Sequence, residues 1–338
     1  MPLDQRIQAL LEARGDEIDP TEMTVPQLRQ RARESVARWH AAGVRDHDVA
    51  SVRDVVVELD GSRRRLRIYN PRSSGQGDQP GFPIVVYFHG GGWVLGDLET
   101  HDGICRAICQ VGGAIVVAVE YGLAPEHPYP EPLVECEQAV LWASANAVDI
   151  GGNPSAIFVG GDSAGGNLAA VCALRLRDRG EGQVAGQILI YPVVDDPASG
   201  HGSMEEFKIG HTYGQNHQLL CRMMSLYTAG RIPLSHPDFA PIQTTSLVGA
   251  PTALILTAEY DMLRDEAEAY AGRLRNEGVD VSVERVAGVN HGFMHLTSYL
   301  PATDAAFERI GKWIRDQVAD RLRATVEISK GEATSARL

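Results

Sequence analysis

Leu3, Ile7, Leu10 and Leu11 fall at helical spacing and Gly15 follows, so the chain opens on a short amphipathic helix. A second helix is predicted from Thr24: Thr24 and Gln27 resemble a capping box, Pro26 suits a first turn, and Leu28, Val36 and Trp39 follow. The period then changes from helical to alternating. Residues 52–59 and 65–70 read as strands joined near Asp60-Gly61, a hairpin signal. In the second of them Leu66 and Ile68 alternate with Arg65, Arg67 and Tyr69, and the arginines read as a solvated strand face, not as a binding patch.

From residue 84 onward short apolar runs alternate with helical stretches. Residues 84–88, 114–120, 157–160, 187–191, 253–258 and 281–286 read as strands. Their near-continuous apolar character predicts burial on both faces, hence a mainly parallel sheet flanked by helices and an α/β fold class. Phe307, Ile310, Ile314 and Val318 mark a last helix. The connection between Tyr191 and Ala253 is far longer than a crossover needs. It holds a stretch punctuated by Gly and Pro and an amphipathic helix carrying Leu219, Leu220, Met223 and Tyr227. An insertion at the C-terminal end of a strand falls where α/β folds bind ligands. Residues 195–245 and 1–50 are therefore expected to roof a core made of residues 51–194 and 246–323. The polar stretch 324–338 reads as a loose tail. Residues 281–286 are expected at the sheet edge. There Val281, Val283 and Val286 alternate imperfectly with Ser282 and Glu284, and an uncovered edge invites a second copy to form a homodimer.

Composition narrows the partners. The 338 residues suffice for one large α/β domain or two small ones. A net charge of −13 argues against nucleic acid and anionic membrane surfaces, which both need a basic face. No apolar run approaches the roughly 18 residues that span a bilayer. Residues 1–15 are charged and amphipathic with no apolar signal core, so a cytoplasmic location is expected. The five cysteines (Cys105, Cys109, Cys136, Cys172 and Cys221) lack further Cys or His at metal-ligand spacing and read as buried reduced thiols.

The chemistry concentrates in four places. Gly161-Asp162-Ser163-Ala164-Gly165 is a G-x-S-x-G elbow between a predicted strand and the helical pattern of residues 167–177. So tight a turn strains the serine backbone, demands small neighbours and points a helix N-terminus at the reacting carbon. His89-Gly90-Gly91-Gly92-Trp93 closes the strand 84–88, and its glycines let backbone amides turn toward an incoming oxygen. Trp-Val-Leu follows, where a phosphate loop would want Lys-Ser/Thr. The amide after the nucleophile, that of Ala164, completes such an oxyanion hole. In this arrangement acid and base follow the serine in that order. Asp261 follows a strand, whereas Asp265 and Glu266 open the next helix and Asp280 precedes a strand. His291 lies in the loop Gly288-Val289-Asn290-His291-Gly292-Phe293, with His295 as its nearest competitor, and His89 belongs to the glycine loop. Ser163, Asp261 and His291 are thus the candidate nucleophile, orienting acid and base.

These blocks, with the run YGLAPEHPYP (121–130), GDSAGG (161–166), EYDMLRDEAEAYA and GVNHGF, resemble the hormone-sensitive-lipase family of esterases over about residues 80–320. The resemblance implies the α/β-hydrolase fold, with a mainly parallel eight-stranded sheet and a helical cap built from the N-terminus and an insertion after the sixth strand. It implies the catalytic roles of Ser163, His291 and Asp261, and oxyanion donors at Gly91, Gly92 and Ala164. It implies a small-molecule ester as substrate, with neither cofactor nor metal, and a family habit of dimerising. Two positions depart from the pattern: the family usually has Arg where Gly122 stands and Pro where Met262 stands. In the 121–130 run, Glu126 and His127 read as structural, in a proline-fixed loop beneath the site. The expected activity is hydrolysis of short- to medium-chain carboxylic esters. Amide or lactone hydrolysis by the same triad, or ligand binding without catalysis, are the other readings of this fold.

Overall fold

The alternating and apolar runs pair into one sheet in the computed structural model, which describes residues 1–13, 19–72, 81–208 and 213–335. Two helices come first, α1 (Gln5–Glu12) and α2 (Val25–Ala42). The side-chain oxygen of Gln27 accepts from the Thr24 amide at 2.8 Å, closing the first turn of α2. Gly15, expected to stop α1, lies outside the described residues. The strands are β1 (Ser51–Leu59), β2 (Ser62–Asn70), β3 (Phe82–Phe88), β4 (Ile115–Val119), β5 (Gly152–Asp162), β6 (Val184–Ile190), β7 (Ala253–Tyr260) and β8 (Val281–Asn290). They lie in the order β1-β2-β4-β3-β5-β6-β7-β8. The pairs β1/β2 and β2/β4 are antiparallel and the rest parallel. Asp60 and Gly61 both have positive φ (49° and 73°), the geometry of a type I′ turn that matches strand twist. The strand β8 ends the sheet order, as the edge reading required.

Helices cover both faces, so the central strands are buried throughout. On one face lie α3 (Asp102–Gly112) and α9 (Pro301–Ser335), packed through Ile104, Ile108, Phe307, Ile310 and Ile314. On the other lie α4 (Glu131–Ala145), α5 (Ala164–Arg179) and α8 (Arg264–Asn276), packed through Leu133, Leu168 and Leu274. The long connection after β6 carries α6 (Gly202–Phe207) and α7 (His217–Thr228). Four of the five free cysteines are buried and Cys221 is half-buried. No helix among the described residues is long and apolar enough to cross a membrane.

Three expectations need correction or completion. The helix α9 runs on to Ser335, through the stretch read as a loose tail. Ala319, Leu322, Arg323, Ala324 and Glu327 are good helix formers, and extending an existing helix costs no new nucleus. The β2 arginines are only in part a solvated face: Arg65 keeps 42% of its side chain exposed, but both it and Arg67 are tied to acids. Arg67, with only 12% of its side chain exposed, pairs with Asp54 and Glu99, each at 2.7 Å. Arg65 pairs with Glu120 at 2.6 Å. The antiparallel register sets Asp54 directly opposite Arg67, which sequence alternation does not reveal. Arg64 accounts for one departure from the family pattern. A Cβ on Gly122 would come within 2.6 Å of Arg64 Nη2, and that guanidinium pairs with the buried Glu135 at 2.7 Å. A strand arginine therefore holds the space beside Gly122.

Candidate active site

Ser163 sits between β5 and α5 with φ 56° and ψ −119°, a region L residues avoid. Such strain costs on the order of 1–3 kcal/mol and persists because the surroundings leave no alternative. A Cβ on Gly161 would run into the Gly165 backbone, and one on Gly165 into the Phe88 carbonyl. Only glycine fits either place, which explains the elbow's composition. The Ser163 carbonyl accepts from the Asn167 amide at 3.0 Å as α5 begins, so the Ala164 amide lies at a helix N-terminus.

The acid and base come from the ends of neighbouring parallel strands. Asp261 follows β7 directly and His291 follows β8 directly, because both strands run longer than their apolar cores. His291 Nδ1 lies 2.7 Å from Asp261 Oδ2, and Nε2 lies 3.0 Å from Ser163 Oγ. A carboxylate only accepts, so Nδ1 carries the proton and the neutral ring offers Nε2 to the serine hydroxyl. Burial works against charging His291, but the charge and hydrogen bond of Asp261 outweigh it and raise its pKa above the usual 6.5. Asp261 is fully buried, and its second oxygen accepts from the Leu263 amide at 2.9 Å and from Gln215 Nε2 at 2.8 Å.

The competing residues have other partners. Asp265 accepts from the Ser203 amide at 2.8 Å, and Glu266 from the Val194 amide at 2.8 Å. The Asp280 carbonyl accepts from the Ala253 amide, at the starting ends of both strands. His295 stacks on Trp39 with ring centroids 4.9 Å apart, and burial lowers its pKa to about 3. His89 stacks on Tyr121 at 4.3 Å, and burial lowers it to about 4. Glu126 pairs with Arg29 of α2 at 2.7 Å, and His127 Nδ1 meets Glu131 at 2.6 Å, both structural roles.

The glycine loop leaves β3 with Gly91 at φ 112° and Gly92 at φ 61°. Among the described residues nothing accepts from the amides of Gly91, Gly92 or Ala164. The loop is pinned by Asp162, a residue the sequence reading passed over although it adjoins the nucleophile. Asp162 Oδ1 accepts from the Gly90 amide at 2.9 Å and from the Tyr87 hydroxyl at 2.7 Å. Burial would raise its pKa, but His101 and these hydrogen bonds hold it well below the usual carboxylate range. His101, Asp162 and His295 bring polar atoms within 4.8 Å of one another. His101 Nε2 also accepts from the Gly90 amide at 3.2 Å, so His101 shares with Asp162 in holding the loop.

A cavity of about 360 Å³ opens in front of Ser163, His291, Gly91 and Gly92. Leu10 and Leu11 of α1, Val36 and Trp39 of α2, and Leu220 and Met223 of α7 line it. Residues from both segments expected to roof the core therefore border one apolar cavity. Backbone N–H donors at one wall and an apolar lining at the other suit an uncharged substrate with a carbonyl group.

Residues 85–295 match a family model described as alpha/beta hydrolase fold. The arylesterase of Saccharolobus solfataricus is 34% identical over 298 residues, covering 87% of this chain and 93% of that protein. Carboxylesterase NlhH of Mycobacterium tuberculosis is 39% identical over 236 residues, covering 67% of this chain and 71% of that protein. A solved hyperthermophilic esterase from the archaeon Pyrobaculum calidifontis superposes with a TM-score of 0.86 at 36% identity. The match covers 94% of this chain and 99% of that one.

Proposed function

The chain belongs to the hormone-sensitive-lipase-like family of α/β hydrolases and is a carboxylic ester hydrolase; on that footing we propose that Ser163, His291 and Asp261 cleave short- to medium-chain esters through an acyl-enzyme. Ser163 Oγ attacks the ester carbonyl carbon while its proton passes to His291 Nε2. Asp261 fixes the imidazole tautomer and steadies the imidazolium. The carbonyl oxygen, now carrying the charge, rests against the amides of Gly91, Gly92 and Ala164. His291 returns the proton to the leaving alkoxide, which departs as the alcohol and leaves Ser163 acylated. Water then gives its proton to His291 and adds to the acyl carbon, and the carboxylic acid leaves as Ser163 is reprotonated. The cycle balances on ester and water alone.

The observation that carries this reading is the unbroken line from Asp261 through His291 to Ser163, bordering an apolar cavity. The chain-length preference rests on the walls of that cavity. Each buried methylene contributes about 0.8 kcal/mol until the cavity is full, after which longer chains gain nothing. Ser163→Ala removes the nucleophile and leaves the elbow's backbone partners in place. It is expected to abolish turnover of p-nitrophenyl butyrate and labelling by a serine-reactive phosphonate while the thermal unfolding midpoint stays within a few degrees. Stoichiometric labelling of that variant would move the nucleophile elsewhere.

A further inference from the structure

The connection between β6 and β7 does more than line the cavity. Three of its hydrogen bonds reach the two loops that carry the acid and the base. Gln215 Nε2 donates to Asp261 Oδ1 at 2.8 Å, and Gln215 Oε1 accepts from the Met262 amide at 2.9 Å. The carboxylate accepts only and the amide donates only, so a single orientation of the Gln215 side chain satisfies both. One residue before the base, at the end of β8, Asn290 Nδ2 donates to the Tyr213 carbonyl at 2.8 Å. The segment ends on Asn216, whose Oδ1 caps α7 by accepting from the Leu219 amide at 2.9 Å. A few consecutive residues thus tie the acid loop, the base loop and a cavity-lining helix together.

The identity of residue 262 makes the second bond possible. A proline there would have no amide proton, whereas Met262 supplies one. The other contacts to Asp261 Oδ1 do not replace Gln215. The Leu263 amide approaches from the acid's own loop and moves with it.

We propose that Gln215 is a positioning residue for the triad, holding the Asp261 carboxylate in register with His291 and making the reaction rate depend on the seating of the 213–216 segment. The proposal rests on Asp261 being the triad acid. Gln215 borders the cavity, but both polar ends of its side chain are engaged by the acid loop, so its loss is expected to act on the acylation rate rather than on substrate affinity. A misplacement of about 1 Å in a catalytic group costs on the order of a hundredfold.

The experiment compares Gln215→Ala, Gln215→Glu, Met262→Pro and the double variant Gln215→Ala/Met262→Pro, each checked for folding by thermal unfolding. Gln215→Ala is expected to lower kcat about ten- to hundredfold with KM within about threefold, by the same factor for acetate, butyrate and hexanoate esters. Met262→Pro is expected to lose less, and the double variant no more than Gln215→Ala, because both act through one contact. Gln215→Glu keeps the acceptor for Met262 but sets a second carboxylate beside Asp261. His291 already faces Asp261, Asp162 and His295, with Glu266 behind Asp261. The added charge moves the acid limb of the pH–rate profile to higher pH, a shift that merely loosened packing would not give. A Gln215→Ala kcat within threefold of the parent, a loss confined to KM, or one that varies with acyl length would overturn the proposal. Asp261→Asn separates the two readings. If it keeps full activity, the triad assignment itself fails. If it is inactive while Gln215→Ala is not, only the positioning role fails.

Discussion

Asp162→Ala tests how the glycine loop is held. Asp162 is 3% exposed, and a single oxygen, Oδ1, accepts both the Gly90 amide at 2.9 Å and the Tyr87 hydroxyl at 2.7 Å. Truncation leaves the buried Tyr87 hydroxyl without an acceptor and the Gly90 amide with only the longer contact to His101 Nε2 at 3.2 Å, so at about 1–3 kcal/mol for an unsatisfied group a loss of roughly 1–4 kcal/mol is expected. Against a stability of about 5–15 kcal/mol the variant stays folded, with a midpoint lowered by about 1–6 °C at the per-residue unfolding entropy of globular proteins. The catalytic loss has a different origin. Gly90 no longer anchors the loop, Gly91 and Gly92 drift from the oxyanion, and kcat falls by about a hundredfold, the loss typical of one missing oxyanion donor. Asp162→Asn provides the contrast. Its carbonyl still accepts both donors in the place of Oδ1, and only the charge assistance is lost, so kcat should stay within about tenfold. The depressed pKa of Asp162 confines the pH dependence. Its stabilisation is fully present above the unfolded value near 4 and is lost only as pH falls through the lower folded value, so the variant's deficit should be constant from about pH 5 to 9. The assays are steady-state hydrolysis of p-nitrophenyl butyrate and thermal unfolding on the same samples. An Asp162→Ala protein with kcat within threefold of the parent would refute the anchoring role.

The other expectations are simpler to check. The raised pKa of His291 means that kcat/KM climbs with pH through an apparent value above 6.5 and then levels, since only the neutral ring accepts the serine proton; a flat profile from about pH 5 to 9 excludes a histidine base. Protonation of His291 stabilises the fold below its unfolded pKa, a contribution lost as pH rises through the higher folded value. In a p-nitrophenyl ester series, rate should peak at short to medium acyl chains, and Trp39→Ala, which removes a large wall residue, should move the peak to longer ones. A peak at palmitate in the parent enzyme contradicts that chain-length preference. The edge strand β8 is expected to pair two copies, with its far end already taken where the Asp4 amide donates to the Gly288 carbonyl at 2.8 Å. A monomeric mass by light scattering at and above assay concentration rules that pairing out.

Local sequence determined those parts of this protein that short-range physics controls. The period of apolar residues located the strands, because a residue buried on both faces of a sheet tolerates little else. Asp60-Gly61 marked a turn that needs two positive φ values. The glycines around Ser163 marked an elbow in which a Cβ would meet backbone. Chain order then singled out Asp261 and His291, since strand ends deliver side chains to one edge of a parallel sheet. What the tertiary structure alone decided are meetings between distant segments. Asp162 faces Gly90 because β5 lies beside β3, and nothing near either residue in the chain records that. The β2 arginines looked like a solvated face because their acids sit on β1, after β4 and before α3, and are brought to them only by strand order and register. Gln215 reaches Asp261 across 46 residues of chain, from a loop with no periodic signal. Periodicity is a property of the backbone and is written locally. The partner of a buried polar group is fixed by the packing of whole elements, and a single sequence does not spell it out.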